Sequence, residues 1–317
     1  MSRVRAPAVA GMFYPGTPAE LRCAVRGYLQ AGAPEAGRPS SPLRKPLCLA
    51  RPRDDGVWLG ARAAPHRGEM RQASGTTPEP VSTDRSPNGL SQRAAMGFIV
   101  PHAGYPYSGP VAGTAYSLLQ ATGSQVRRVV LIGPAHRVPL RGLALPAETA
   151  FATPLGEVPL DREMVERTAR LELVTVDSEA HAQEHGLEVQ LPFLQEVLGD
   201  FTLVPLVVGE ASAEEVALVL DALWGGPETL VVVSSDLSHY HDYETATRLD
   251  RQTSAAIEGL RLEELGRDSA CGRVPIQGLL LAARQRGLQV RCLDRRNSGD
   301  TAGPHDRVVG YGAYVVH

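Results

Sequence analysis

Three apolar stretches of the sequence, each typical of a buried strand, are followed within a few residues by a histidine. His102 follows FIV-Pro and leads into the turn-like segment AGYPYSG, His136 follows VVLIG-Pro-Ala, and His239 follows LVVVSSDLS. Neutral imidazole is the commonest protein ligand for zinc, iron and copper. Parallel strands would bring these rings together, because the carboxyl ends of such strands meet at one edge of a sheet. The pattern predicts a metal site around His102 and His136, although either could be an ordinary hydrogen-bonded loop residue.

Cys271 is a further residue that could have a functional role. It stands in the segment SACGRVP, in a turn just before a predicted helix. A thiolate at that position would be favoured by the positive end of the helix and by the neighbouring Arg273. The alternative is a small buried apolar residue, which is the commonest role of a free cysteine.

Two pairs of residues could carry proton chemistry. Asp236 and His239 are three residues apart, so the carboxylate could orient the ring for acid–base work, or it could simply cap a helix. In the segment EHGLE, His185 and Glu188 would lie on one side of a helix. The alternative for this second pair is a solvated helix start. The sequence predicts surface or terminal positions for the remaining histidines outside the proline-rich segment: His181, His241, His305 and His317.

Several other kinds of chemistry are excluded by composition and spacing. Lys45 is the only lysine in the chain, and no GxxxxGK[ST] loop is present, which excludes P-loop phosphate chemistry. EHGLE does not match HExxH, so a zincin-type protease is excluded. A serine hydrolase built from the SSDLSH segment is disfavoured, because it lacks a GxSxG elbow and its groups lie too close along the chain to face one another.

Composition limits the class of protein and its partners. The 317 residues, 43% of them hydrophobic, suffice for one large domain or two small ones. A formal net charge of −3 gives no basic excess, so neither nucleic acid nor an anionic membrane is an expected partner. No apolar stretch approaches the roughly 20 residues that cross a bilayer. Pro7 and Gly11 leave no room for the apolar region of a secretory signal. A cytoplasmic protein is expected.

Strand-like and helix-like segments alternate along most of the chain and would position these side chains. Runs rich in β-branched residues predict six strands: MGFIV, RRVVLIG, FTLVPLVVG, TLVVVSSD, LQVRCL and VVGYGAYVV. Helices are predicted by capping boxes at residues 17–20 and 212–215, by Asp161 as an N-cap, and by Pro275 before IQGLLLAARQR. The alternation predicts a single α/β domain with a mixed or mainly parallel sheet sandwiched by helices.

The segment between the first helix and this core differs in composition. Residues 33–95 contain nine prolines scattered among Ser, Gly, Thr and Arg, with no helical or strand period. So long a structureless loop is unusual inside a compact domain. We therefore predict an N-terminal segment with the first core helix (1–32), a disordered insertion without active residues (33–95) and an α/β core (96–317).

In its motifs the chain resembles the MEMO family, whose bacterial branch is called AmmeMemoRadiSam system protein B. The resemblance covers nearly everything outside the insertion. Its blocks occur in this order: AVAGMFYPG, VPHAGYPYSGPVAGTAY, LIGPAHRVPLRGLALP, TPLGEVPLD, EHGLEVQLPFLQ, VPLVVG, VVSSDLSH, CGRVPIQGLL and GYGAYVV. The family is similar in fold to the class III extradiol ring-cleaving dioxygenases, whose sites hold non-haem Fe(II) with two histidines and a glutamate.

The resemblance implies a role for each candidate residue. His102 and His136 match metal-ligand positions of the family, and Cys271 matches the third, where the dioxygenases have glutamate. His239 resembles the acid–base histidine of the dioxygenases. Two further residues fall in blocks that line the pocket in relatives: Asp236 and His185. The implied cofactor is a divalent metal, Fe(II) first, with copper or zinc as alternatives because a thiolate favours softer metals than a carboxylate does.

The resemblance leaves two functions open. The first is a metal-dependent protein with a redox or oxygenase-like role and an unknown substrate, in which His239 moves protons and Tyr105 or Tyr107 flanks the substrate. The alternative is a non-catalytic module that binds a peptide or protein through a vestigial dioxygenase pocket. The expected partners are a small-molecule or peptide ligand and, from the system that names the bacterial branch, a radical-SAM protein and an AMMECR-type domain protein.

Overall fold

Helices and strands alternate along the three ranges that the computed structural model describes, residues 3–33, 95–122 and 125–317. The strands are β1 (Val4–Arg5), β2 (Gly97–Val100), β3 (Arg128–Pro134), β4 (Leu143–Leu145), β5 (Ala150–Thr153), β6 (Gly156–Pro159), β7 (Val174–Val176), β8 (Thr202–Val208), β9 (Thr229–Ser234), β10 (His239–His241), β11 (Val290–Asn297) and β12 (Val308–Val316). The helices are α1 (Pro18–Gly32), α2 (Tyr105–Thr122), α3 (Arg162–Thr168), α4 (Ser178–Ala182), α5 (Leu191–Leu198), α6 (Ala213–Leu223), α7 (Tyr243–Glu258) and α8 (Arg273–Gln285). Within these ranges, no helix combines the length and the apolar character that a membrane crossing requires.

The strands form a large mixed sheet with a parallel centre. In the described part of the chain its order is β10-β12-β2-β9-β3-β8-β4-β7, and β11 pairs with the outer side of β12. Strands β2, β9, β3 and β8 run parallel, whereas β12 and β4 run antiparallel to their central neighbours. A small separate sheet has the order β1-β5-β6. The predicted mixed sheet is confirmed.

The central strands are buried on both faces, which explains their apolar runs. Along β2, Phe98 and Val100 pack on one side with residues of α1, α2 and α5, while Ile99 packs on the other side with residues of α6, α7 and α8. Successive side chains of a strand point to opposite faces, so each face of the sheet needs its own helical cover. The predicted sandwich of helices around the sheet is confirmed.

The predicted strands and helix starts are present in the structure. All six predicted strands occur, as β2, β3, β8, β9, β11 and β12. Asp161 caps α3 by accepting a hydrogen bond from the backbone of Met164, and the capping box of α6 is complete. Helix α8 begins at Arg273, three residues before the predicted start at Ile276, because a proline is tolerated within the first turn of a helix.

Most of the glycine-rich segment after His102, which resembles a turn in sequence, forms the start of helix α2 from Tyr105 onwards. Its glycines allow close packing between α1 and α2. A Cβ atom at Gly113 would lie 2.6 Å from the backbone oxygen of Tyr28, and one at Gly109 would lie 2.8 Å from the Tyr28 ring. Tertiary packing therefore outweighs the local preference for a turn. Helices α1 and α2 can approach this closely only where side chains are absent.

The predicted insertion, residues 33–95, lies outside the described residues except at its two ends. The segments on either side of it pack together, since α1 contributes to the same core as β2 and α2.

We predict that Gly113→Ala destabilises the protein. Alanine is favoured over glycine in a helix by about 0.5–1 kcal/mol. The new methyl group would meet backbone that cannot move aside, however, and overpacking of this kind costs about 1–3 kcal/mol. Urea denaturation should show a net loss of stability of about 1 kcal/mol, the difference between the middle values of these two ranges. Gly266→Ala is the control, because its nearest atom would be Ser269 Oγ at 3.9 Å. Equal stability of Gly113→Ala and wild type would contradict the close packing.

Candidate metal centre

The carboxyl ends of the parallel strands bring two of the predicted histidines together. His102 follows β2 and His136 follows β3, each after one intervening residue. The strand β9 lies between them in the sheet and ends level with β2, since Val100 pairs with Ser234. The rings of His102 and His136 approach edge to face, with 5.1 Å between their centroids. The geometric prediction from strand ends is therefore met for this pair.

His185 joins the same cluster from the loop that follows α4. Its ring stacks on His136 with 4.9 Å between centroids, and the centroid of His102 lies 5.4 Å away. The candidate ligand atoms of all three histidines lie within 4.8 Å of one another. Glu188 does not share this face, because it turns away to pair with Arg5. The predicted alignment of His185 with Glu188 is wrong, since the backbone between them is not a regular α-helix.

Cys271 lies against this histidine cluster. Its Sγ atom is 3.2 Å from His102 Nε2 and 3.6 Å from the backbone oxygen of Asp236. A hydrogen bond to the same thiol also contributes to the raised pKa of His136. The structure thus brings together a sulfur and an imidazole that stand 169 positions apart in the sequence.

The hydrogen bonds around Ser234 determine which nitrogen of His102 carries the proton. The Ser234 hydroxyl donates to the backbone oxygen of Gly186 at 2.5 Å and accepts from Gln190 Nε2 at 2.9 Å. Its one proton is therefore in use, so at 3.0 Å from His102 Nδ1 it can only accept. His102 carries its proton on Nδ1, and the lone pair of Nε2 faces Cys271.

Glu184 orients His136 in a comparable way. Its carboxylate accepts hydrogen bonds from the backbone N–H of His136 at 2.8 Å, from His136 Nδ1 at 2.9 Å and from the N–H of Gly186 at 2.8 Å. Burial alone would raise the pKa of Glu184, but the bonds to His136 lower it to about 2. The ionised carboxylate fixes the Nδ1 proton of His136. Carboxylate–histidine pairs of this kind commonly support metal ligands.

The pKa of His136 itself reflects the same contacts. Burial would lower it, but hydrogen bonds to Cys271 and Glu184 outweigh burial and raise the pKa to about 9. Since Nδ1 is bonded to Glu184, the second proton belongs on Nε2. Proton binding and metal binding at that nitrogen exclude each other.

His185 contributes a neutral ring with an unsatisfied nitrogen. Burial, followed by the neighbouring His102, lowers its pKa to about 3. Its Nδ1 atom lies 3.4 Å from Glu184 Oε1, but it has no hydrogen-bond partner among the described residues. A buried polar atom without a partner costs free energy that a ligand can recover. This atom therefore indicates that the cluster accommodates a further group.

The donor set fits a transition metal. Imidazole nitrogen and thiolate sulfur are the ligands that zinc, copper and iron prefer over hard cations. Metal–nitrogen bonds of about 2.0–2.1 Å and metal–sulfur bonds of about 2.3 Å place two such ligands about 3.1–3.6 Å apart. The 3.2 Å between His102 Nε2 and Cys271 Sγ lies in this range. The imidazoles as a group are more widely spaced, within 4.8 Å, so small side-chain movements would be needed to close them around one ion.

His239 lies near the cluster but is not oriented by Asp236 as expected. Its Nδ1 donates to the backbone oxygen of Leu237 at 2.8 Å, whereas Asp236 Oδ1 accepts from the backbone N–H of His102 at 2.8 Å. Burial lowers the pKa of His239, and the negative charge of Asp236 offsets this only in part. Asp236 thus anchors the His102 backbone and acts on His239 through space.

The structure overturns one further expectation from the sequence, the surface position of His181, and excludes two of the alternatives that the sequence left open. His181 is buried, with 1% of its surface exposed, and its Nε2 donates to the backbone oxygen of Ala144 at 2.9 Å. Tyr105 belongs to the core and bonds to the backbone oxygen of Val189, so it cannot flank a substrate. The acids of EHGLE are buried, with Glu184 at 2% and Glu188 at 0% exposure, and do not form a solvated helix start.

Sequence reasoning missed the groups that support the cluster. In the sequence, Ser234 belongs only to a segment that is unsuitable for a serine hydrolase. The position of Arg5 in the chain does not indicate that it contacts the site. The Arg5 guanidinium bonds at 2.7 Å to Glu188, to the backbone oxygen of His181 and to that of Glu184. It thereby fixes the loop that supplies Glu184 and His185. The only signal in the sequence is that Glu184 and Glu188 stand beside the apolar segment VQLPFL, which could have suggested that they are buried against a positive charge.

Fold and cluster together define an α/β protein with a candidate metal centre at the carboxyl edge of its sheet. A family model described as Memo-like protein matches residues 69–315. A MEMO1 family protein of Sulfolobus acidocaldarius is 32% identical over 324 residues, which cover 97% of each chain. A MEMO1 family protein of Saccharolobus islandicus is 35% identical over 234 residues, which cover 69% of this chain and 82% of that one. The chain belongs to the Memo-like family.

A comparison of structures adds one solved protein. The crystal structure of an uncharacterized protein from Escherichia coli K12 superposes with a TM-score of 0.47 at 16% sequence identity, and the match covers 68% of this chain and 98% of that one. Both sequence relatives above are archaeal, so assignment to the bacterial branch stays a prediction.

We predict that Glu188→Gln strongly destabilises the fold. The substitution leaves the buried Arg5 guanidinium without its counter-charge, and breaking a buried ion pair in this way costs about 3–5 kcal/mol. Chemical denaturation should show this loss. Glu196→Gln is the control, because Glu196 pairs with Arg22 and Arg26, which are about half exposed, and such pairs contribute about 1 kcal/mol or less. Similar losses in both variants would contradict the proposed importance of Arg5.

We also predict that His181 makes the fold sensitive to acid. Burial lowers its pKa from 6.5 to about 4. Between these pH values the unfolded chain binds a proton that the folded chain does not, so the free energy of unfolding decreases as the pH falls through this window. The effect amounts to about 3 kcal/mol at most. Unfolding of wild type and His181→Gln should be compared at pH 7 and pH 4.5. An equal pH dependence in the two proteins would refute the assignment.

Proposed function

We propose that this Memo-like protein binds one divalent transition metal through His102, His136 and Cys271 and has a redox or oxygenase-like role. The observation that carries the proposal is the approach of Cys271 Sγ to 3.2 Å from His102 Nε2 beside a cluster of three imidazoles. The strand ends and the start of α8 that supply these residues are fixed by the core of the fold.

The hydrogen bonds assign the atoms that would hold the metal. His102 and His136 would bind through Nε2, because Ser234 and Glu184 occupy their Nδ1 atoms. Cys271 would bind through its sulfur. His185 is uncharged. Its ring is a fourth possible donor, beside the two imidazoles and the thiol named above. Three protein ligands with a further donor nearby resemble catalytic sites, which keep a position for water or substrate.

We propose Fe(II) as the metal, with copper or zinc as alternatives. The family resemblance favours iron, whereas the thiolate shifts the preference of the site towards softer metals than two histidines and a carboxylate would. The thiolate also places an oxidisable sulfur next to the metal. This is why we prefer a general redox or oxygenase-like role to ring-cleaving dioxygenase activity.

His239 is the residue that we propose to move protons. A bound metal would supply Lewis acidity and orient an oxygen-bearing ligand. His239 donates through Nδ1 to Leu237, so the lone pair of its neutral ring is on Nε2. Because burial keeps its pKa low, the ring is unprotonated near neutral pH and can accept a proton from a hydroxyl group. Asp236 would stabilise the protonated ring through its nearby charge.

Metal analysis under anaerobic conditions tests the proposal. We expect about one metal ion per chain in wild type and an occupancy at least about tenfold lower in Cys271→Ala and in His136→Ala, because removal even of groups that only support ligands commonly weakens metal binding about 10–100-fold. Cys292→Ala is the matched control, because Cys292 is the other half-buried free cysteine of the described chain and lies on β11. Its metal content should equal that of wild type.

Equal metal content in all four proteins would refute the metal site. The function would then be the alternative, a module that binds a peptide or protein without metal. That module would retain partner binding in the presence of a chelator, whereas loss of such binding on chelation would support the metal-dependent function.

A further inference from the structure

A cavity of about 350 Å³ lies next to the candidate metal centre. Its walls are formed by the ends of β3 and β8 and by the segment that leads into α8. Cys271 belongs to its lining, so the cavity and the histidine cluster share this residue. The volume is at the lower end of the range for pockets that bind small molecules.

The charged residues that line this cavity are both arginines. Arg267 and Arg273 contribute to the wall, and no acidic residue does. Arg273 donates from Nη1 to Gln277 Oε1 at 3.1 Å, and this neutral acceptor leaves its charge uncompensated. Arg267 forms no hydrogen bond or ion pair with a side chain among the described residues. The cavity therefore carries two positive charges, in a protein whose formal net charge is −3.

The rest of the lining is small and mainly apolar. It includes Ala135 and Gly209 at the strand ends and Ala270, Val274 and Pro275 beside Cys271. Arginine guanidinium groups bind carboxylates and phosphates through paired hydrogen bonds. Arg273 is half-buried and Arg267 is exposed, so both can reach a ligand that enters from solvent. A cavity lined by small side chains, with two arginines at its wall, thus suits a small molecule with an anionic end.

We propose that this cavity binds the carboxylate or phosphate group of a small molecule and is the subsite that presents this molecule to the metal centre. The second half of this statement rests on the proposed function, because it needs a metal at Cys271. Anion binding by Arg267 and Arg273 does not depend on it. The substrate would accordingly be an acid or a phosphate ester of low molecular weight.

Calorimetry with succinate and with inorganic phosphate as separate probes tests the proposal. We expect wild type to bind at least one of them, and Arg267→Gln/Arg273→Gln to bind it at least about tenfold more weakly, which corresponds to about 1.4 kcal/mol. The control is Arg248→Gln/Arg251→Gln, which removes the same charge from an exposed face of α7 and should bind within about twofold of wild type. Tighter binding of succinate indicates a carboxylate ligand, and tighter binding of phosphate a phosphate ester.

A second measurement keeps the test decisive if the double variant unfolds. In wild type freed of metal by a chelator, the anion that binds should slow the alkylation of Cys271 by iodoacetamide severalfold at constant ionic strength, while Cys292 reacts at an unchanged rate. The two cysteines can be quantified separately by peptide mass spectrometry. Absence of binding of both anions to wild type, or equal binding by wild type and the double variant, would overturn the proposal.

Metal content separates this inference from the proposed function. The double arginine variant should keep its metal, and Cys271→Ala should lose the metal but still bind the anion. Anion binding by a wild-type protein without metal would refute the metal centre and leave the anion site standing. A wild-type protein that contains metal but does not bind the anion would refute the anion site and leave the metal centre standing.

Discussion

The candidate metal centre depends on two buried carboxylates, Glu184 and Glu188, which lie close together in the chain. A buried charge is tolerated only where a group of opposite charge or a hydrogen-bond donor lies next to it. Glu188 is compensated by Arg5 from the N-terminal segment, and two backbone N–H groups and the Tyr14 hydroxyl complete its bonds. Glu184 is compensated by His136. The first pair fixes the loop and the second fixes a ring of the cluster. The position of the site is thus coupled to packing of the chain's first residues against the core.

The hydrogen bonds at the histidine rings orient the cluster for metal binding. Both His102 and His136 have Nδ1 engaged with an acceptor, so each presents Nε2 to the centre. The acceptors differ in charge, since Ser234 is neutral and Glu184 is ionised. The two rings therefore lie in different electrostatic environments although they occupy similar positions after neighbouring strands. Such support from outside the ligand set commonly tunes a metal site.

Local charge in this protein differs from its overall charge. The chain is mildly acidic, yet the cavity beside Cys271 is lined by two arginines and no acid. The histidine cluster on the other side of Cys271 holds Glu184 and lies near Asp236. Net charge governs solubility and long-range association, whereas the ligand that a cavity binds depends on the few charges that line it. Cys271 stands at the boundary between these two environments.

The sequence by itself determined the α/β class, the six main strands and the placement of His102 and His136, because apolar runs record burial on both faces and parallel strands share a carboxyl edge. It also pointed to Cys271, through the family resemblance. Tertiary structure alone decided that α2 is helical, that His181 is buried and that His185 joins the cluster. It alone showed the roles of Arg5, Glu184 and Ser234. These features arise from contacts between residues distant in the chain, and such contacts leave no period or spacing in the sequence.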